Sequence, residues 1–169
     1  MSRISPKPLK EYPWYLRLLF RYQEKKYGKA LEPTLLWGRC PKLLKLFFSF
    51  SRFFQRKKSL LDPVLKARIM LRASEIDQCS FCIDMNAFAL QQKTKIDASE
   101  KEKCALEYAE AMTDTTKQVS DELFARLKEH FSEDEIVELT ALIAFQNMSS
   151  KFNSALGIEA YGFCKKINT

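Results

Sequence analysis

Glycine is scarce in this sequence: only four of the 169 residues are glycine. A β-sandwich or β-barrel needs many turns, and turns draw heavily on glycine, so this count argues against both architectures. It also leaves too few glycines for a glycine-rich phosphate loop. Apolar residues recur instead at helical spacing between prolines and capping residues, and no stretch alternates in the manner of a β-strand. The sequence therefore predicts an all-α fold.

Proline and capping residues divide the chain into predicted helices. Asp62 followed by Pro63 is a helix start, and Ser132 with Glu135 forms a capping box for the last long helix. That last helix is apolar over a wide arc, which is typical of a helix buried in a core or between subunits. Helix propensity does not settle whether two consecutive stretches, VLKARIMLRASEI and CSFCIDMNAFALQQK, form one helix or two.

Charge is divided unevenly along the chain. Residues 1–73, here called the basic arm, hold 18 Lys and Arg against 4 Asp and Glu, whereas residues 74–169 hold 10 against 17. Such a division suits a basic segment that meets an acidic body, an anionic lipid surface or a nucleic acid. We expect the basic arm to pack on its own body or on a neighbouring subunit. A nucleic acid or a membrane surface is not the partner that we expect.

The most amphipathic stretch of the basic arm begins at Pro41 and reads KLLKLFFSFSRFFQRKK. Basic side chains line one side of this predicted helix, and aromatic and leucine side chains form the other side, which includes Leu43, Phe50 and Phe54. The same pattern occurs in helices that lie on membranes. We interpret this segment as a core helix with one solvated face, because most amphipathic helices pack inside proteins.

Compartment is indicated by what the sequence lacks. The N-terminus has no apolar core of a signal peptide, and no run of about 18 apolar residues could span a membrane. Five cysteines, an odd number in a chain of this length, are not the pattern of a secreted disulfide scaffold. We therefore expect a cytoplasmic protein.

The pair Cys79 and Cys82 is the clearest chemical motif. Two cysteines three residues apart share a helix face, and at a helix start the unpaired amides and the helix dipole stabilise a thiolate. The motif is thus a candidate redox pair. Zinc would need four ligands, and the remaining cysteines and the one histidine stand at no ligand spacing, so no metal and no cofactor is expected. Two buried cysteines that only fill the core remain an alternative.

The residues around this pair carry a resemblance to a known family. ARIMLRASEIDQCSFCIDMNAFAL resembles the signature of the carboxymuconolactone decarboxylase superfamily, specifically its alkylhydroperoxidase AhpD-like branch, and the following helical stretches are similar almost throughout. The resemblance covers residues 62–157. It implies an AhpD-like helical domain over residues 62–169, preceded by a helical extension over residues 1–61, in a subunit that assembles as a trimer or a hexamer.

The resemblance also implies a function. AhpD-like proteins are thiol–disulfide oxidoreductases with an antioxidant role, which reduce hydroperoxides or pass electrons to a peroxiredoxin partner, and a thiol reductant regenerates them. By analogy Cys82 is the thiol that attacks the peroxide, and Cys79 is the resolving thiol that faces the partner. Two alternatives remain open: an enzyme like the decarboxylases that name the superfamily, and a non-catalytic binding protein that uses its basic arm.

The sequence departs from the family motif at a histidine. The family histidine four residues after the second cysteine is Asn86 here. Asn86 shares the helix face of Cys79 and Cys82, so its amide can form a hydrogen bond near a sulfur. An amide cannot accept the thiol proton at neutral pH, so Asn86 cannot replace the imidazole as a base.

A second departure concerns the proton relay. The relay glutamate that AhpD itself carries falls on Ala67 in this sequence. The carboxylate expected to replace it is Glu75, one turn before the first cysteine, with Asp84 and Asp77 as alternatives. An ordinary solvated charge at the helix end is an equally good interpretation of Glu75.

Overall fold

The protein is all-helical, as the sequence predicts. The computed structural model describes residues 2–91 and 99–164, and no strand occurs within those ranges. A short 3-10 helix, Leu9–Glu11, precedes eight α-helices: α1 Trp14–Tyr27, α2 Glu32–Gly38, α3 Pro41–Phe54, α4 Pro63–Ile76, α5 Ser80–Gln91, α6 Glu100–Thr113, α7 Asp121–His130 and α8 Glu133–Ala155. Gln92 and Lys93, the last residues of one predicted helical stretch, lie outside the described residues. None of these helices is long and apolar enough to cross a membrane.

Two helix starts that the sequence predicts are confirmed by their hydrogen bonds. The Asp62 carboxylate accepts from the amides of Val64 (2.7 Å) and Leu65 (3.1 Å) at the start of α4. The Ser132 amide donates to the Glu135 carboxylate (2.8 Å), and the Glu135 amide donates back to the Ser132 hydroxyl (3.3 Å), which is the expected capping box.

The described residues divide into two compact units, one of residues 2–57 with 156–158 and one of residues 58–155 with 159–164. The first unit contains α1 to α3. Its core holds the rings of Tyr12 and Phe20, packed edge to face 5.0 Å apart. Gly38 at the end of α2 allows this packing, because a Cβ there would lie 3.3 Å from the Tyr12 ring.

One face of α3 differs from the core helix that the sequence suggested. Leu44 and Phe54 are buried, but the four side chains of a second apolar stripe are 40 to 59% exposed. This stripe, here called the α3 stripe, consists of Leu43, Leu46, Phe50 and Phe53. The core interpretation therefore holds for only part of the apolar face, because α3 is packed against α2 along one side.

The second unit contains α4 to α8, with α4 packed against α5, α6 and α8. The largest apolar side chains that are fully buried in this unit come from α4, α7 and α8: Ile69, Leu127, Leu139, Leu142 and Ile143. The buried surface of α8 is less apolar than the sequence suggested, because Gln146, Ser150 and Asn153 are buried whereas Met148 is 42% exposed.

A tight turn separates α4 from α5, which settles that the two stretches form two helices. The Cys79 amide donates to the Ser74 carbonyl (3.0 Å), and the Gln78 amide donates to the Glu75 carbonyl (3.1 Å). These two bonds define a Schellman motif, which needs a left-handed residue between the helix end and the next element. Gln78 adopts that conformation with φ 52°.

Replacing Gln78 with glycine is expected to stabilise the protein. The left-handed conformation costs a non-glycine residue about 1–2 kcal/mol, and the greater entropy of glycine in the unfolded chain offsets about half of this. We expect Gln78→Gly to raise the free energy of unfolding by about 0.5 kcal/mol in urea denaturation. Gln55→Gly is the matched control, since Gln55 is exposed and has φ −92°, a conformation in which glycine relieves no backbone strain. Equal effects of both substitutions would contradict this account of the turn.

Candidate active site

The two cysteines of the motif lie at the N-terminus of α5. Cys79 immediately precedes the helix, Cys82 lies in its first turn, and their Cα atoms are 5.2 Å apart. Their sulfur atoms are joined in a disulfide, and the residues are only 1% and 4% exposed. The remaining cysteines, Cys40, Cys104 and Cys164, are free. The pairing is the one that the sequence spacing predicts.

Each sulfur of the pair accepts a hydrogen bond from a different kind of donor. The main-chain amide of Cys82 donates to the Cys79 sulfur (3.3 Å). This places Sγ of Cys79 at the positive end of the helix dipole, which favours a thiolate. The Cys82 sulfur accepts instead from the side-chain amide Nδ2 of Asn153 on α8 (3.2 Å). Sequence reasoning missed Asn153, because it lies 71 residues after Cys82 in the chain.

Asn86 does not form the hydrogen bond near a sulfur that the sequence suggested. Its Nδ2 donates to the Ser74 hydroxyl (2.9 Å), the Met70 carbonyl (3.2 Å) and the Gln146 side-chain oxygen (3.3 Å). Asn86 thus joins α5 to α4 and α8. The reason is the helix packing, which places polar partners from both neighbouring helices around its amide.

A buried polar row on α8 continues this network. Gln146 Nε2 donates to the hydroxyls of Ser74 (3.0 Å) and Ser150 (2.8 Å), and Asn153 lies one turn further along the same face. The spacing of Gln146, Ser150 and Asn153 is the spacing of one helix face. Polar residues at this spacing within an otherwise apolar helix are the signal that could have revealed the row from the sequence.

Glu75, the expected relay carboxylate, is exposed and belongs to a surface ion-pair cluster. Its Oε2 lies 3.2 Å from the Arg72 guanidinium, which also pairs with Glu110 at 2.7 Å. The side chain of Glu75 is 44% exposed. The structure thus places this carboxylate at the surface with a cationic neighbour.

Asp77, two residues before Cys79 in the sequence, has a buried side chain. Its side chain is 4% exposed, its Oδ1 lies 3.7 Å from Lys151 Nζ on α8, and its Oδ2 has no hydrogen-bond partner. Burial raises the pKa of Asp77, although the Lys151 charge opposes this. A buried carboxyl with a raised pKa and a free oxygen is able to exchange a proton.

The carboxylate of Asp84, the other alternative, is engaged in hydrogen bonds with main-chain amides. Its carboxylate accepts hydrogen bonds from the amides of Tyr161 (2.9 Å), Phe163 (3.0 Å) and Cys164 (3.1 Å). Burial raises the pKa of Asp84, but these amides outweigh burial and bring the pKa below its usual value. Asp84 therefore anchors the segment after α8 to α5.

Aromatic rings of the same segment cover α5. The ring of Tyr161 lies 5.5 Å from the ring of Phe81, the residue before Cys82 in the sequence. The ring of Phe163 lies 5.9 Å from the ring of Phe88. The α5 residues on this side, Phe81, Cys82 and Asp84, are buried.

A cavity of about 260 Å³ adjoins the start of α4, and its walls include Leu65, Lys101 and Phe131 but neither cysteine of the pair. Over residues 2–91 and 99–164, no three His, Cys, Asp or Glu side chains stand close enough to hold a metal ion.

The chain is similar in sequence and in fold to known proteins. No protein-family model matches the chain. The chain is 37% identical to the uncharacterized protein YnjA of Escherichia coli (strain K12), over 94% of each sequence.

Solved structures share the fold at low sequence identity. An uncharacterized peroxidase-related protein of Ralstonia eutropha JMP134, described as an alkylhydroperoxidase AhpD core, superposes with a TM-score of 0.78 at 19% identity, over 96% of this chain and 94% of that one. The debrominase Bmp8 superposes with a TM-score of 0.81 at 20% identity, over 97% of this chain and 95% of that one. These similarities confirm the fold that the resemblance implied.

Proposed function

Because the chain belongs to the family of Escherichia coli YnjA and has the fold of the AhpD-like peroxidase-related proteins, we propose that it is a thiol–disulfide oxidoreductase that reduces hydroperoxides. The observation that carries the proposal is the Cys79–Cys82 disulfide at the N-terminus of α5. The fold alone does not identify this chemistry, because the debrominase Bmp8 shares the fold.

The reaction begins with the pair in its dithiol form. The Cys82 thiolate attacks the terminal oxygen of the hydroperoxide, the O–O bond breaks, and the alcohol leaves with a proton, so that Cys82 becomes a sulfenic acid. The Cys79 thiol then attacks the Cys82 sulfur, and water leaves as the disulfide forms. One dithiol and one hydroperoxide thus give one disulfide, one alcohol and one water. A thiol reductant or a peroxiredoxin-type partner returns two electrons by thiol–disulfide exchange.

The proton of the attacking thiol needs an acceptor, and we assign this role to Asp77 rather than Glu75. Asp77 is buried two residues before Cys79 and has a free carboxylate oxygen, whereas Glu75 is exposed and paired with Arg72. Asn86 keeps a positioning role in this scheme, since its amide joins α5 to Ser74 and Gln146.

Removing the cysteine pair is expected to abolish peroxide reduction. The Cys79→Ser/Cys82→Ser variant should consume no hydroperoxide above background with a thiol reductant, because neither the attacking thiol nor the resolving thiol remains. Its matched control is Cys40→Ser/Cys164→Ser, which loses two thiols that are free in the structure and should keep the wild-type rate. Equal rates for the two double variants would rule out the proposed function.

Replacing Asp77 tests the proton relay. A base must be ionised, and burial raises the pKa of Asp77, so the activity of the wild type should rise with pH at a higher pH than an exposed aspartate would give. Asp77→Asn should remove this rise and slow peroxide reduction about 100-fold near neutral pH. Glu75→Gln should keep both the profile and the rate. A profile lost in Glu75→Gln and kept in Asp77→Asn would reverse the assignment.

We further propose that the protein works as a homo-oligomer, a trimer or a hexamer as the resemblance implies. The supporting observation is the α3 stripe, whose apolar side chains are 40 to 59% exposed beside exposed lysine and arginine residues of the same helix. Exposed apolar groups of this size, rimmed by polar ones, mark interaction surfaces. A neighbouring subunit that packs apolar side chains against the α3 stripe would cover it, with the basic residues left at the rim.

A charge within the α3 stripe is expected to dissociate the oligomer. Leu46→Glu should sediment as a smaller species than the wild type, because burying an unpaired carboxylate costs several kcal/mol. Ser49→Glu, an exposed position of α3 outside the stripe, is the control and should sediment as the wild type does. A wild type that sediments as a monomer would overturn the proposal, and binding to anionic vesicles by that monomer would favour the alternative of a binding protein.

A further inference from the structure

The two sulfurs of the redox pair differ in what stabilises negative charge on them. The donor to the Cys79 sulfur is the main-chain amide of Cys82, which no side-chain substitution removes. The donor to the Cys82 sulfur is the side chain of Asn153, contributed by another helix. Hydrogen bonds to a charged acceptor are about twice as strong as those between neutral groups. The Asn153 contact therefore strengthens when Cys82 is a thiolate.

The second observation is the state of the same amide. Asn153 is 2% exposed, and its Oδ1 is buried without a hydrogen-bond partner. A buried polar atom without a hydrogen-bond partner destabilises the folded state. A leucine would fill such a position at no such cost, so stability alone does not account for the amide. A role at the Cys82 sulfur explains why an amide occupies this position despite its unsatisfied oxygen.

From these two observations we propose that Asn153 is a catalytic residue, whose Nδ2–H holds the Cys82 sulfur as the attacking thiolate. The inference rests on the proposed dithiol chemistry and extends it to a residue outside the cysteine motif. Asn153 takes no proton in this scheme. Asp77 accepts the thiol proton, and the Asn153 amide stabilises the resulting sulfur anion. The electron pair of that anion forms the S–O bond as the O–O bond breaks, and the alkoxide that leaves takes the proton to become the alcohol.

Asp77, in the turn before α5, and Asn153, on α8, share the work that one imidazole could do. Lys151 and Asn153 lie two residues apart on α8. Lys151 reaches Asp77 in the turn before α5, and Asn153 reaches Cys82 in the first turn of α5. One end of α8 therefore provides a cation beside the base and a neutral donor beside the nucleophile. Asn86, which occupies the histidine position of the motif, is engaged elsewhere.

The test measures the pKa of each thiol in the full chain, separately from activity. Cys82 is titrated in a Cys79→Ser background, and Cys79 in a Cys82→Ser background, from the pH dependence of iodoacetamide alkylation read at the peptide by mass spectrometry. Asn153→Leu is introduced into both. Asn147→Leu is the matched control, since Asn147 is a buried amide of α8 that bonds to Thr113 rather than to a sulfur.

We expect Asn153→Leu to raise the pKa of the Cys82 thiol by about one, a tenfold loss of thiolate at a pH below it, because one charge-assisted hydrogen bond is lost. The pKa of Cys79 should not change, and Asn147→Leu should change neither value. An unchanged Cys82 pKa in Asn153→Leu would overturn the inference, as would an equal rise at both cysteines, which indicates a general loss of packing.

A second variant guards against misfolding. Asn153→Ser removes the amide with a smaller side chain, so it tests the same loss if Asn153→Leu fails to give the helical circular dichroism of the wild type. Failure of the inference and failure of the proposed function are distinguishable. A pKa rise in a protein that reduces no hydroperoxide would refute the function and keep the role at the sulfur, whereas peroxide reduction with no pKa rise would refute only the role of Asn153.

Discussion

The turn between α4 and α5 is the constraint on which the site depends. Its Schellman hydrogen bonds end α4 at Ile76 with Asp77 as the C-cap, and its left-handed residue, Gln78, changes the chain direction before α5. Cys79 is thereby the residue that precedes α5, where its sulfur meets a free amide and the positive end of the helix dipole. A longer connection would move the first cysteine away from the helix start, and the pair would lose this electrostatic asymmetry.

The second requirement is a polar row buried within the helix packing. Gln146, Ser150 and Asn153 face α4 and α5 from α8, and their amides and hydroxyls reach Ser74, Asn86 and the Cys82 sulfur. Buried polar groups specify a packing arrangement because each must meet its partner. The row thus fixes the register of α8 against the redox pair, which apolar contacts alone would leave less precisely defined.

Three carboxylates close to the pair in sequence have three different environments. Glu75 is exposed beside Arg72, Asp77 is buried with a free oxygen, and Asp84 is saturated by main-chain amides. Their chemistry follows from those environments rather than from residue type, since burial without a donor raises the pKa of a carboxyl and several amide donors lower it. The position of Glu75 one turn before Cys79, which favoured it as the relay carboxylate, gives no information about burial or hydrogen-bond donors.

Local information in the sequence determined the helical class, two helix caps and the cysteine pair, because periodicity, capping and i to i+3 spacing act within a few residues. The resemblance around Cys79 and Cys82 led to the fold that the solved structures share. Only the tertiary structure decided that Asn86 bonds to Ser74, that Asn153 meets the Cys82 sulfur and that one apolar stripe of α3 stays exposed. The physical reason is that a side chain bonds to whatever group packing brings within about 3 Å, and those groups come from helices far apart in sequence.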